Sequence, residues 1–194
     1  MGKVLCFIYP EMAEFEVTYA IHRLKHIGRK EIVMIGAGME PVRSQSGFRY
    51  LPDVTIGEAL KFGDAEALVI PGGPITASDP LITELIQKLD REEKLLAAIC
   101  FGPQFLGRAG ILDRHRYTTS CSPERIAGLG LDDPFPWPNW VRQGVVRDGH
   151  VITALGTAFI DFAFEIFDYL RIFASRDEMA ELYRNVMPAS ALFE

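Results

Sequence analysis

Cys100 is the residue of this sequence whose type and setting best suit covalent chemistry. It follows the apolar run 95–99, and the small residues Ala98 and Gly102 stand two positions before and after it. This is the spacing of a nucleophile elbow, in which small neighbours let a strand and a helix approach closely. The N-terminus of the following helix is expected to stabilise the thiolate and lower the pKa of Cys100. A buried cysteine that ends a core strand would give the same pattern, so these residues alone leave both interpretations open.

Backbone N–H groups from two loops are candidates for stabilising an oxyanion beside Cys100. Pro71, Gly72 and Gly73 follow a predicted strand, and the absence of side chains lets glycine amides approach a ligand. We expect the N–H groups of Gly73 and Phe101 to be the donors and Gly72 to contact the substrate. An ordinary glycine turn after a strand would have the same sequence.

An acid for proton transfer is expected near the start of the first helix. Glu11, Glu14 and Glu16 all lie there, and spacing alone does not choose among them, because any acid near a helix N-terminus is favourable. The sequence has no CxxC motif and no His/Cys cluster with zinc spacing, so we predict neither a metal nor another cofactor. The four histidines are expected on a helix face, in turns or on the surface, away from catalysis: His22, His26, His115 and His150.

The elements that would position these residues alternate between strand and helix. Strands are predicted at 3–9, 31–36, 67–70, 95–99, 117–119, 141–146 and 151–154, with a hairpin near 41–51. Helices are predicted at 13–28, 79–93 and 103–110, followed by two more that close the chain. This alternation predicts an α/β fold with a mostly parallel central sheet and helices on both faces. Ligands of such sheets bind at the carboxyl ends of the strands, where the three candidate segments would meet.

Composition and charge favour a single globular domain spanning residues 1–194. Hydrophobic residues make up 48% of the chain and charged residues 24%, which is typical of a folded protein. The net charge of −6 argues against binding to nucleic acid or anionic membranes, and no apolar run reaches the roughly 20 residues of a membrane span. The three cysteines indicate no disulfide framework and a reducing, cytoplasmic compartment.

Three segments together resemble the ThiJ/PfpI superfamily, also called the DJ-one superfamily. Residues 97–103 read Ala-Ala-Ile-Cys-Phe-Gly-Pro, close to the elbow of that family. Residues 69–73, Val-Ile-Pro-Gly-Gly, match its oxyanion strand, and residues 153–157, Thr-Ala-Leu-Gly-Thr, match a late helix entry. The resemblance covers about residues 3–172.

This resemblance implies a fold, an assembly and roles for individual residues. The fold would be that of class I glutamine amidotransferases, a flavodoxin-like three-layer sandwich, and the protein would be a homodimer. Cys100 would be the nucleophile, and Glu16 would be the acid that touches its sulfur. The resemblance thus selects Glu16 among the three acids that spacing alone did not distinguish.

The sequence departs from this family where many members carry a histidine in a Thr-Thr-His-Pro run. Residues 118–121 read Thr-Thr-Ser-Cys instead, so Ser120 stands in the histidine position. A complete Cys-His-acid triad is therefore not expected, and Ser120 and Cys121 become candidate substrate contacts.

Three functions remain open on these residues. The first is a cysteine-dependent hydrolase, hydratase or lyase acting on a small carbonyl, amide or isonitrile compound. The second is a redox or stress-response protein in which Cys100 is an oxidisable sensor thiol. A ligand-sensing module of a transcription regulator ranks last, because the chain is acidic and short.

Overall fold

The computed structural model describes residues 2–77 and 79–187, which contain a central sheet and its surrounding helices. The strands are β1 (Lys3–Phe7), β2 (Glu31–Gly36), β3 (Val42–Arg43), β4 (Arg49–Tyr50), β5 (Val54–Thr55), β6 (Ala65–Ile70), β7 (Leu95–Ile99), β8 (Val145–Asp148) and β9 (Val151–Ala154). The helices are α1 (Phe15–His26), α2 (Ile56–Ala59), α3 (Pro80–Arg91), α4 (Pro103–Arg108), α5 (Pro123–Leu129), α6 (Phe159–Tyr169) and α7 (Arg176–Val186).

The main sheet has the strand order β5-β2-β1-β6-β7-β9-β8. Neighbouring strands run parallel except for the edge hairpin of β8 and β9. All five residues of β7 are buried, because helices cover both faces of the sheet and a central strand must then be apolar on both sides. Helix α1 packs against α6, while α2, α3 and α4 form the other helical layer. The predicted α/β sandwich with a mostly parallel sheet is confirmed, as is the separate β3–β4 hairpin.

Local capping signals set the starts of several helices. The Asp79 carboxylate accepts a hydrogen bond of 2.8 Å from the N–H of Leu81, and Pro80 occupies the first turn of α3, as the sequence predicted. Helix α5 begins in a similar way. Proline again occupies the first turn, and the Ser122 hydroxyl accepts a hydrogen bond from the N–H of Arg125. Helix α5 and the short elements β5 and α2 were not predicted from the sequence.

The predicted strand at 117–119 is wrong in extent. Within this segment only Tyr117 forms a β-bridge, to Trp140. The next two residues form hydrogen bonds that involve side chains where a strand would form backbone hydrogen bonds with its neighbour. The Thr118 N–H donates to the Thr153 hydroxyl, and the Thr119 hydroxyl donates to the carbonyl oxygen of Cys100 at 2.6 Å. This segment therefore braces the elbow and does not extend the sheet.

Further boundaries differ from the sequence prediction: β1 ends at Phe7 and not at residue 9, and β6 begins at Ala65 and not at residue 67. The strand predicted from residue 141 begins at Val145. Helix α1 ends at His26, and the left-handed residue that follows it is Arg29, with φ 53°, and not the expected Gly28. Among the described residues, the structure contains no helix with the length and apolarity needed to cross a membrane.

Loss of the α3 cap should have a measurable effect on stability. Replacing Asp79 by Ala removes an acceptor for the first-turn N–H groups, and we expect the free energy of unfolding to fall by about 1 kcal/mol. Asp79→Asn keeps an acceptor and is the matched control in urea denaturation. Equal stability of the two variants would contradict the capping role.

Candidate active site

Cys100 lies on a sharp turn between β7 and α4, with a backbone φ of 61°. This left-handed conformation costs a non-glycine residue roughly 1–3 kcal/mol and is characteristic of functional sites. A Cβ atom at Gly102 would lie 2.7 Å from the carbonyl oxygen of Pro71 and 2.8 Å from that of Ile70. The turn therefore requires a residue without a side chain at this position. The predicted elbow geometry is confirmed.

Glu16 is the acid that reaches the Cys100 sulfur. It stands in the first turn of α1, is 3% exposed, and is hydrogen-bonded to the thiol. Its Oε2 also accepts a hydrogen bond of 2.7 Å from the N–H of Gly72. The two competing acids lie elsewhere: Glu14 is 4% exposed and lies beside Ser44 and Ser46 of the β3–β4 hairpin, and Glu11 is exposed. The predicted position of Glu16 is confirmed.

Two glycines enclose the pair formed by Cys100 and Glu16. A Cβ atom at Gly72 would lie 2.5 Å from Glu16 Oε2 and 2.6 Å from Cys100 Cβ. A Cβ atom at Gly156 would lie 2.7 Å from Glu16 Oε1 and 3.0 Å from the sulfur. Gly156 was not among the predicted site residues, although it belongs to the segment 153–157 that resembles the family.

Ser120 contacts the sulfur from the position where a histidine was absent. Its hydroxyl accepts a hydrogen bond of 3.0 Å from the N–H of Gly156 and is hydrogen-bonded to the Cys100 thiol. Its own N–H donates to the carbonyl oxygen of Cys100 at 3.0 Å. A serine hydroxyl is not a base at neutral pH, so this contact orients and stabilises the sulfur without taking its proton.

The predicted backbone donors occupy different places in the site. The Phe101 N–H is hydrogen-bonded to the Cys100 sulfur, and Gly73 lies on the wall of a cavity that opens above Cys100. The Gly72 amide was expected at the substrate, but it is engaged by Glu16. Gly72 therefore positions the acid.

The cavity has a volume of about 480 Å³, the size of a small-molecule site. Cys100 and Glu16 lie on its wall together with the exposed Arg125, whose guanidinium is 4.6 Å from the Phe101 ring. Cys121 was expected to contact the substrate, but it belongs to the hydrophobic core and is 6% exposed.

Burial controls the proton affinities of the pair. It raises the pKa of Glu16, and burial followed by the charge of Glu16 raises the pKa of Cys100 to about 12. The predicted lowering of the Cys100 pKa is therefore wrong. Helix α4 has only six residues, and hydrogen bonds from Ser120 and Phe101 lower the pKa only in part. At neutral pH the thiol keeps its proton, and the adjacent carboxylate is the group able to accept it.

Known proteins with similar sequences and structures share this arrangement of the chain. The model of the DJ-1/PfpI family matches residues 2–169. Deglycase PfpI of Pyrococcus furiosus is 28% identical over 155 residues, which cover 78% of this chain and 89% of the relative. The glutathione-independent glyoxalase DJR-1.2 of Caenorhabditis elegans is 32% identical over 176 residues, covering 87% and 88%. The crystal structure of a DJ-1 superfamily protein from Agrobacterium tumefaciens has a TM-score of 0.80 at 27% identity, covering 96% of this chain and all of that one.

Adding one methyl group beside the sulfur should disturb the site. Gly156→Ala places a Cβ atom against both Glu16 and Cys100, and we expect the free energy of unfolding to fall by about 1–3 kcal/mol. Gly128→Ala in α5 is the control, because its Cβ atom would meet nothing within 4 Å and alanine favours a helix. Chemical denaturation measures both variants, and equal stabilities would contradict the close packing described here.

Removing the charge of Glu16 should make the thiol more acidic. Glu16→Gln abolishes the repulsion that raises the Cys100 pKa, so the pKa should fall below the wild-type value of about 12. The measurement is the pH dependence of iodoacetamide labelling at Cys100, resolved by peptide mapping. Cys6, fully buried in β1, should stay unlabelled in the native protein and is the internal control. A wild-type Cys100 pKa near or below neutrality would refute the assigned protonation of the pair.

Proposed function

This chain belongs to the DJ-1/PfpI family, and from that membership we propose an enzyme whose Cys100 thiol attacks a small electrophilic compound. The observation that carries the proposal is the buried hydrogen bond between Cys100 and Glu16 on the wall of a cavity of about 480 Å³. Similar proteins are named a deglycase and a glyoxalase. Small carbonyl compounds are therefore the leading substrate class, ahead of amides and isonitriles, in a reaction of the hydrolase, hydratase or lyase type.

Glu16 acts as the proton shuttle in this proposal. As the sulfur attacks the carbonyl carbon, an S–C bond forms, the thiol proton passes to the Glu16 carboxylate, and the C=O π electrons move to oxygen. The raised pKa of Glu16 makes it a stronger base than an ordinary glutamate. Glu16 then returns the proton to the oxygen, which gives a neutral thiohemiacetal with all atoms conserved.

The negative charge that develops on the substrate oxygen needs hydrogen-bond donors from the protein, in the place of water. The N–H groups of Phe101 and Gly73 are the candidates, because Phe101 already points at the sulfur and Gly73 lies on the cavity wall. Fixed donors of this kind stabilise charge in the transition state without reorganising. Ser120 keeps the sulfur oriented throughout.

An oxidisable sensor thiol is the competing function. The donors around the sulfur, Ser120 and Phe101, could also hold the oxygens of a sulfinate. Oxidation by peroxide requires a populated thiolate, however, and a pKa of about 12 for Cys100 leaves very little thiolate at neutral pH. The enzyme takes precedence because similar proteins are named a deglycase and a glyoxalase.

Turnover of methylglyoxal, a glycated amine, a small amide and an isonitrile tests the proposal. We expect methylglyoxal or the glycated amine to be converted, and Cys100→Ser and Glu16→Gln to lower kcat at least about 100-fold. Cys121→Ser is the control and should keep wild-type turnover, because Cys121 belongs to the core and not to the cavity wall.

The pH profile supplies a second readout of the same proposal. Because burial raises the pKa of Glu16, the carboxylate base is lost at a higher pH than for an ordinary glutamate. The value of kcat/KM should fall as the pH drops through that raised pKa. Full turnover by Glu16→Gln would contradict the shuttle, and rapid sulfinate formation at Cys100 without turnover of any substrate would favour the sensor.

A further inference from the structure

Asp90, His115 and His150 form a cluster at the edge of the sheet opposite to Cys100. Asp90 lies in the last turn of α3, His115 follows a 3-10 turn at Leu112–Arg114, and His150 lies in the turn between β8 and β9. The His150 carbonyl oxygen accepts from the N–H of Leu96, at the start of β7. Cys100 follows the other end of that strand, roughly 13 Å away along its length.

The three side chains present their ligand atoms to one another. One atom from each of Asp90, His115 and His150 lies within 4.8 Å of the other two. His150 Nε2 is 2.9 Å from Asp90 Oδ1, and the two imidazole rings meet edge to face with centroids 5.4 Å apart. The side chains are only 9%, 13% and 15% exposed for Asp90, His115 and His150. His150 lies in a turn and His115 directly follows one, as expected, but both side chains are largely buried and not on the surface.

One ring nitrogen in the cluster lacks a partner. Nδ1 of His115 is buried and has no hydrogen bond within the described part of the chain. The nearest acid to it is Asp148, whose Oδ2 is 3.9 Å away and accepts from the N–H of Arg116. A buried polar atom without a partner is costly, so the pairing of Asp90 with His150 does not by itself account for the cluster.

We propose that Asp90, His115 and His150 bind a Zn²⁺ ion. Two imidazoles and a carboxylate are ligands that zinc prefers, and three protein ligands leave a fourth position for water. Ligand atoms around tetrahedral zinc are about 3.3 Å apart for bonds of about 2.0 Å. Because the ligand atoms lie within 4.8 Å of one another, closing the cluster around the ion requires a shift of at most about 1.5 Å, which is the scale of a side-chain rotation.

The charges around the cluster are compatible with a divalent cation. Arg114 pairs with Oδ2 of Asp90, which leaves Oδ1 directed at His150 and available to the ion. Asp148 adds a second carboxylate beside His115. Such an arginine contact with the outer oxygen of a ligating carboxylate would orient it, as partners of metal ligands commonly do.

Within residues 2–77 and 79–187, two other places could bind zinc and must be removed from the test. His22 and His26 stand one turn apart on α1, both exposed, with ring centroids 4.5 Å apart. The Cys100 thiol is a further ligand type for zinc. The reference protein is therefore the 194-residue chain with the substitutions His22→Gln, His26→Gln and Cys100→Ser.

Calorimetric titration of this reference protein with Zn²⁺ after removal of metals by chelation tests the proposal. We expect one ion per chain, and His115→Gln and Asp90→Asn, each made in the same background, should weaken binding at least about tenfold. Co²⁺ should give visible absorption bands of a tetrahedral site in the reference protein and lose them in both variants. Circular dichroism establishes that each variant is folded, and using two variants keeps the test decisive if one of them is not.

Thermal unfolding gives an independent readout that does not involve turnover. Because zinc would bind the folded chain, an excess should raise the melting temperature of the reference protein and leave that of His115→Gln unchanged. No binding of Zn²⁺ or Co²⁺ to the reference protein would overturn the proposal. Binding of equal strength to the reference protein and to both variants would also overturn it.

Discussion

The buried hydrogen bond between Cys100 and Glu16 is the interaction on which the site depends. Burial alone would neutralise an isolated carboxylate or thiolate, but two such groups in contact can hold one charge and one proton between them. The Gly72 N–H contributes to this balance by donating to Glu16 Oε2. The site thus keeps a base and a nucleophile together on the wall of the cavity.

The fold serves this contact through the ends of separate strands. The elbow after β7, the glycine turn after β6, the start of α1 after β1 and the loop after β9 all meet at the carboxyl edge of the sheet. Only parallel neighbours bring such ends together. The strain at Cys100, with φ 61°, is sustained because the Ala154 carbonyl oxygen accepts from its N–H at 2.8 Å and its own carbonyl accepts from Thr119 and Ser120.

The sequence allowed most of the fold to be predicted, because long apolar runs and strong helix signals encode it locally. Strand β7 and helix α3 were predicted closely, since one is a continuous apolar run and the other begins at an Asp-Pro cap. The helix α5 was missed although Ser122 and Pro123 give the same kind of signal. The strand at 117–119 was predicted too long. Hydrogen bonds that involve side chains join this segment to distant residues in place of the backbone hydrogen bonds of a strand, and a local sequence pattern does not reveal them.

The candidate site was only partly open to prediction from sequence. Cys100 and its small neighbours stand in one short segment, and Glu16 was chosen by family resemblance because spacing could not select it. The pKa of Cys100 could not be predicted, since it depends on burial and on a carboxylate 84 positions away along the chain (100 − 16). The cluster of Asp90, His115 and His150 likewise could not be predicted, because it forms only when three segments that are distant in sequence fold together.

The order of the strands also bears on how the protein behaves when it is concentrated. The sheet ends in β5, only two residues long, and in β8, where Arg147 pairs with Asp168 at 2.8 Å. An edge strand recruits another chain most readily when it is long, flat and uncharged. Neither edge of the main sheet meets that description, so within the described residues this sheet offers a poor template for strand-by-strand polymerisation.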